Sequence, residues 1–155
     1  MSSLIDQIQT PVLRKLYAYW DNVRGARELP AWRDFDAHHL SFIASNILLI
    51  DVHYEPLTFR FRAHGLQLAW RIGYDMTGKL VDELPHPQNR AVLLERCRSL
   101  VSSRRPYIGR GKRNVAGREI PYEVVWLPLS EDGERVDLLL GGLEYLDTAA
   151  SGRVL

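Results

Sequence analysis

Residues 136–145 read VDLLLGGLEY, and no other stretch constrains the fold of this chain so tightly. Side chains alternate along an extended strand, so Leu138 and Leu140 point one way while Leu139 and Leu143 point the other. A strand that is apolar on both sides needs cover on both. Any sheet that holds it must carry packing elements on its two faces.

The rest of the pattern offers such elements. Leu13, Leu16, Tyr17, Trp20 and Val23 recur at helical spacing. Thr10 and Pro11 precede them as cap and first-turn proline, and Gly25 ends the run. This amphipathic helix has one face to bury and is expected to cover the sheet, either its own or that of a twin chain. Asp36 then caps a short helix with Leu40 and Ile43 inward. Residues 46–53 are a nearly continuous apolar run, read as a buried strand. Residues 57–64 alternate, with Phe59, Phe61 and Ala63 on one face and Arg60, Arg62 and His64 on the other. These two strands make a hairpin. Short helical segments follow, one carrying Leu68, Trp70 and Ile72 and another over 79–84. Pro87 opens the longest helix, over 88–102, with Val92, Leu93, Cys97, Leu100 and Val101 as its inner stripe. Strands over 107–114 and 119–129, joined by Val115-Ala116-Gly117-Arg118, lead into the final one. Hairpins separated by helices predict an α+β domain built on one antiparallel sheet. Residues 1–28 are read as helix and connector, 29–146 as the domain proper, and 147–155 as a flexible tail.

Composition narrows the partners. The chain has 155 residues, enough for one domain, and a formal net charge of +1. Nothing in that charge calls for nucleic acid or an anionic membrane. The single cysteine, Cys97, has no internal disulfide partner, and no Cys/His spacing suits a metal. The first ten residues lack a secretory pattern and no apolar run is long enough to span a bilayer, so a cytoplasmic location is expected.

Several pieces in order resemble the PAS domain, and especially bacterial stand-alone PAS proteins. They are Leu29-Pro30 with Arg33-Asp34-Phe35-Asp36, Phe59-Arg60-Phe61-Arg62 with Gly65, and Gly73-Tyr74-Asp75-Met76-Thr77-Gly78-Lys79. His86-Pro87, Leu127-Pro128-Leu129-Ser130 and Val136-Asp137-Leu138-Leu139-Leu140-Gly141 continue the series. The resemblance covers residues 29–145. It implies a PAS-like five-stranded antiparallel sheet whose one face, with short helices, encloses a pocket. It also implies a sensory or regulatory role, through a homodimer or a docked signalling partner, rather than catalysis. The expected interface residues are those of the first helix, Leu13, Leu16, Tyr17, Trp20 and Val23.

Candidate ligand-binding residues come from the faces of the strands. Trp70, Tyr74, Tyr107, Tyr122 and Trp126 are aromatic residues able to line an apolar pocket for a small molecule, or simply to fill the core. Residues 104–118 hold Arg104, Arg105, Arg110, Lys112, Arg113 and Arg118 without an acid. Gly109 and Gly111 share one face there, Arg110 and Lys112 the other. Glycines that leave room and arginines that hold an anion are one reading. Protection of an edge strand against aggregation is the other. Haem would need an axial histidine, and none of His38, His39, His53, His64 or His86 lies within the long helix. Cys97, flanked by Arg96 and Arg98, does not resemble the light-sensing flavin motif, so the cofactor is left open with haem and flavin disfavoured. Two alternatives stand beside the sensory reading. One is a cone-shaped α+β enzyme of isomerase or dehydratase type, which needs a buried acid or His as general base. The other is an interaction module whose cavity Trp70 and Trp126 fill.

Overall fold

The computed structural model describes residues 3–147, and residues 148–155, most of the predicted tail, lie outside the described residues. Strands β1 (Ile47–His53), β2 (Thr58–His64), β3 (Tyr107–Val115), β4 (Arg118–Leu129) and β5 (Leu138–Tyr145) form one antiparallel sheet in the order β2-β1-β5-β4-β3. The doubly apolar strand β5 is central, and Leu138, Leu139, Leu140 and Leu143 are all buried. Register fixes the two faces. Trp126 opposes Gly141, and Val124 opposes Leu143 on the inner face. Val125 opposes Gly142 on the outer one.

Helix α1 (Pro11–Arg24) lies on the outer face of its own chain's sheet. A Cβ added at Gly142 would come within 2.6 Å of Leu16 and 3.0 Å of Leu13, so the glycine lets the helix seat closely. Leu13, Leu16 and Trp20 are buried there, and the indole N–H of Trp20 donates to the Pro128 carbonyl at 3.0 Å. Tyr17 and Val23 are half-buried at the helix margins. The residues expected at an interface thus cover the chain's own sheet. The cap differs from expectation as well. The Thr10 side chain makes no capping bond, and the carboxylate of Glu123 in β4 instead accepts from the Thr10 amide, fixing the residue that enters the helix.

The inner face carries the short helix α2 (Leu66–Ile72) and the long helix α3 (Pro87–Ser103). Leu93, Cys97 and Leu100 are the inner stripe of α3, joined by buried Asn89, whereas Val92 is exposed. The 3-10 helix Ala37–Asn46 is capped by the Asp36 carboxylate and buries Leu40 and Ile43.

The simple alternation expected of β2 fails at its end. The β1–β2 register shifts between Leu49 and Ile50, so that Phe61 opposes Ile50 while His64 opposes Leu48. Such a bulge inserts one extra residue and reverses the facing of the residues beyond it. His64 therefore turns inward beside Phe61, their rings stacked 5.6 Å apart, and Ala63 no longer shares the Phe59–Phe61 face. Gly65 comes next because the chain passes hard against a neighbour: a Cβ there would sit 2.3 Å from the Ser45 carbonyl oxygen.

Candidate functional site

Between α3 and the inner faces of β3 and β4 lies a cavity of about 140 Å³. Its wall comes from strand alternation. Tyr107, Gly109, Gly111 and Arg113 share the inner side of β3, and they oppose Trp126, Val124, Tyr122 and Ile120 of β4. Leu48 and Leu143 close the floor, and Leu93 and Arg96 of α3 form the roof.

Of the seven predicted ligand residues, the fold brings four to this cavity: Tyr107, Gly111, Tyr122 and Trp126. Gly109 is on the right face but is roofed by its own neighbour, since a Cβ there would meet the Tyr107 hydroxyl at 2.2 Å. Gly111 faces Tyr122 in the same way, at 3.2 Å, and Gly141 lies under the Trp126 ring at 2.6 Å. The glycines thus make room for aromatic rings lying flat on the sheet, a packing that shields glycine in strands. Trp70 and Tyr74 belong elsewhere. Leu66 and Trp70 stand four apart on the outward side of α2, each 77% exposed, and Trp70 and Tyr74 border an open groove beside that helix. The expectation that Trp70 fills or lines the inner pocket is corrected: Leu68 and Ala69 are the residues that α2 buries.

Of the two cavity arginines, Arg113 belongs to the basic stretch that the sequence offers as anion-holding, and Arg96 escapes the sequence reading. Arg113 has the same parity as Tyr107, Gly109 and Gly111, so alternation alone could have placed it inward. Arg96 stands three residues after Leu93 on the helical stripe. Its guanidinium lies over the Tyr107 ring, 3.3 Å from the centroid, a cation–π contact. Arg113 also lines a much smaller void, about 10 Å³, bordered by Phe61, His64, Leu84 and Tyr145. Burial holds His64 below its ordinary pKa; Asp75 opposes this and Arg113 adds to it. The ring is therefore neutral at physiological pH, and its Nδ1 accepts from the Met76 amide at 3.0 Å. Burial raises Tyr145, against the pull of Arg113 and Arg71.

On the opposite side of the same two strands stands Glu123, wholly buried. One carboxylate oxygen accepts from the Gln9 amide at 2.9 Å, the other from the Thr10 amide at 2.8 Å, and Arg110 of β3 pairs with it at 2.9 Å. Burial alone would raise this carboxyl's pKa. The bonds from Gln9 and Thr10 and the Arg110 charge outweigh burial and hold it below the ordinary value. The basic stretch is thus divided. Arg110 anchors the segment before α1, Arg104 bonds Glu28, and Arg113 faces the cavity. β3 is indeed an edge strand.

Cys97 is buried in the core and is not among the residues that line the cavity, and burial pushes its thiol up to about 12. Among the described residues no helix is long and apolar enough to cross a membrane.

The PAS_5 family model, described as PAS domain, matches residues 8–144. No curated protein matches the chain. Among solved structures, a variant of RsLOV is 12% identical, with 94% of this chain and 73% of that one covered and a TM-score of 0.51. The N-terminal domain of a diguanylate cyclase with PAS/PAC sensor from Marinobacter aquaeolei is 14% identical, covering 66% of this chain and 96% of that one, with a TM-score of 0.47. A sensory box histidine kinase/response regulator from Burkholderia thailandensis is 17% identical, covering 73% and 86%, with a TM-score of 0.43.

Proposed function

Because the chain belongs to the PAS domain family, we propose that it is a sensory module in which occupancy of the inner cavity controls how firmly α1 is held on the outer face. One observation carries this reading. β3 and β4 wall the cavity with Gly111 and Tyr122, and their adjacent residues Arg110 and Glu123 hold the segment that leads into α1. A ligand that binds one arrangement of these strands better than another shifts the population toward it.

The output is α1 itself. Once loosened, it exposes Leu13, Leu16 and Trp20 together with the outer sheet face, an apolar surface suited to self-association or to a signalling partner. The protein acts in the cytoplasm, as a homodimer or docked on that partner. The enzyme alternative needs an acid or base aimed into a cavity large enough for substrate. His64, the inward histidine, adjoins a void of about 10 Å³, roughly one water, and its Nδ1 is engaged. Glu119 borders the main cavity only from an exposed position. Both facts favour the sensory reading.

Native mass spectrometry of freshly purified protein, read with amide hydrogen exchange, tests it. Expected are a retained or added small molecule and a change of about tenfold or more in exchange over α1 when that molecule is removed or supplied. Exchange over α1 that is indifferent to occupancy would defeat the proposal.

A further inference from the structure

The cavity has a chemical bias that its aromatic wall does not explain. Several arginines pair with acids: Arg62 with Asp51, Arg71 with Asp147, Arg110 with Glu123. Arg96 and Arg113, the two that line the cavity, have no carboxylate within 4.0 Å among the described residues. Both are half-buried. The Arg96 guanidinium rests on a ring face, which satisfies its plane and leaves its N–H edge unused. Arg113 borders both the cavity and the small void beside Tyr145. A guanidinium partly withdrawn from water gains from an anion beside it, and one fork of N–H donors matches one carboxylate. The acid that borders the cavity, Glu119, sits opposite Asn114, on the strand side away from Arg113, and is exposed.

Size sets the other limit. The cavity of about 140 Å³ is near the roughly 150 Å³ of an apolar protein cavity that takes up benzene. A single ring or a short branched chain fits against Tyr122, Val124 and Trp126; a nucleotide does not.

We infer that the ligand is a small organic carboxylate, its apolar body against Tyr122, Val124 and Trp126 and its carboxylate between Arg96 and Arg113. This deepens the sensory reading and rests on it. The charge supplies selectivity against neutral analogues of the same shape, because a neutral body in this cavity leaves two guanidinium groups unanswered.

Benzoate is the probe and benzamide its neutral isostere. Binding of each to the full chain is measured by titration calorimetry and by thermal shift, beside inorganic phosphate. Benzoate should bind saturably, benzamide about tenfold to a hundredfold more weakly, as expected for hydrogen bonds to a charged group. Arg113→Gln should abolish the preference, and Arg113→Lys should keep part of it. Equal binding of benzoate and benzamide, benzoate binding unchanged by Arg113→Gln, or phosphate binding as tightly as benzoate each overturn the inference. If Arg113→Gln fails to fold, the comparison of benzoate with benzamide on the unaltered chain decides alone. The two readings fail separately. Benzamide bound as tightly as benzoate, with α1 exchange responding, removes the carboxylate and leaves the sensor. Benzoate bound selectively with α1 unmoved does the reverse. Binding of neither compound removes the carboxylate.

Discussion

Replacing Glu123 by Gln isolates the anchor of the segment before α1. The carboxylate accepts two backbone amides at 2.8 and 2.9 Å and pairs with Arg110, all at a side chain with 1% exposure. Glutamine keeps one acceptor oxygen and turns an NH₂ toward the second amide. One charge-assisted bond is lost, worth about 1.5–3 kcal/mol, and a sequestered amide is left without a partner, at about 1–3 kcal/mol. Arg110 is 40% exposed and recovers water, so its contribution is small. The lost bond and the unpartnered amide are overlapping consequences of one missing acceptor and do not add in full, so the net loss is about 2–4 kcal/mol. In a domain of this size each kcal/mol moves the melting temperature by about 2–4 °C, so a fall of about 4–16 °C is expected at neutral pH. Amide exchange should rise first over residues 9–14. The pH dependence gives a second handle. The folded carboxyl titrates below its ordinary 4.5. Its stabilisation is therefore fully present above that value and lost as pH falls through the lowered one. The gap between the two proteins should be full at about pH 7 and narrow steadily below about pH 4. A melting temperature unchanged at pH 7, or a gap that persists undiminished at about pH 2, would refute the anchor.

Three further substitutions and labellings probe other points. Gly65→Ala places a Cβ 2.3 Å from the Ser45 carbonyl, a backbone atom that cannot rotate away, so chemical denaturation should show a loss of about 3 kcal/mol or more. Gly142→Ala meets only side-chain ends, those of Leu16, Leu13 and Ile43 at 2.6, 3.0 and 3.2 Å, and should cost about 1–3 kcal/mol while raising exchange in α1 more than in β1. Cys97, with its thiol near 12, should resist iodoacetamide at about pH 8 in the folded protein and react only on unfolding.

Much of the fold is legible in patterns that depend only on neighbours in sequence. The leucines of β5, the stripe of α1 and the hairpin at Ala116-Gly117 are local signals, and each element forms where its pattern stands. The failures have non-local causes. Alternation puts His64 on the wrong face because a bulge against β1 reverses it, and a bulge depends on a partner strand. Glu123 reads as a polar interruption of β4; its role as acceptor for Gln9 and Thr10 joins residues more than a hundred positions apart. Trp70 reads as inward by its size, yet α2 has only two turns, and Leu68 with Ala69 take the buried side. Arg113 is legible from parity and is overshadowed by the basic residues around it.

What unites cavity and anchor is the period of two. Along β3 the residues Gly109, Gly111 and Arg113 face α3, while Ile108 and Arg110 face the side of α1; along β4, Tyr122, Val124 and Trp126 alternate with Glu123 and Val125. Consecutive Cα atoms are about 3.8 Å apart and joined by planar peptides, so a backbone shift at one residue is passed to its neighbour on the other face. The anchor bonds of 2.8 and 2.9 Å are near the best N–H···O distance, and such bonds weaken beyond about 3.2 Å. A backbone displacement of a few tenths of an ångström at Tyr122, passed on to Glu123, would reach that limit. Gly142→Ala crowds the same helix directly, on the sheet face away from the cavity. If strain on β3 and β4 is how α1 is released, that variant should resemble the ligand-bound protein in its α1 exchange and, by reciprocity, bind benzoate more tightly than the unaltered chain.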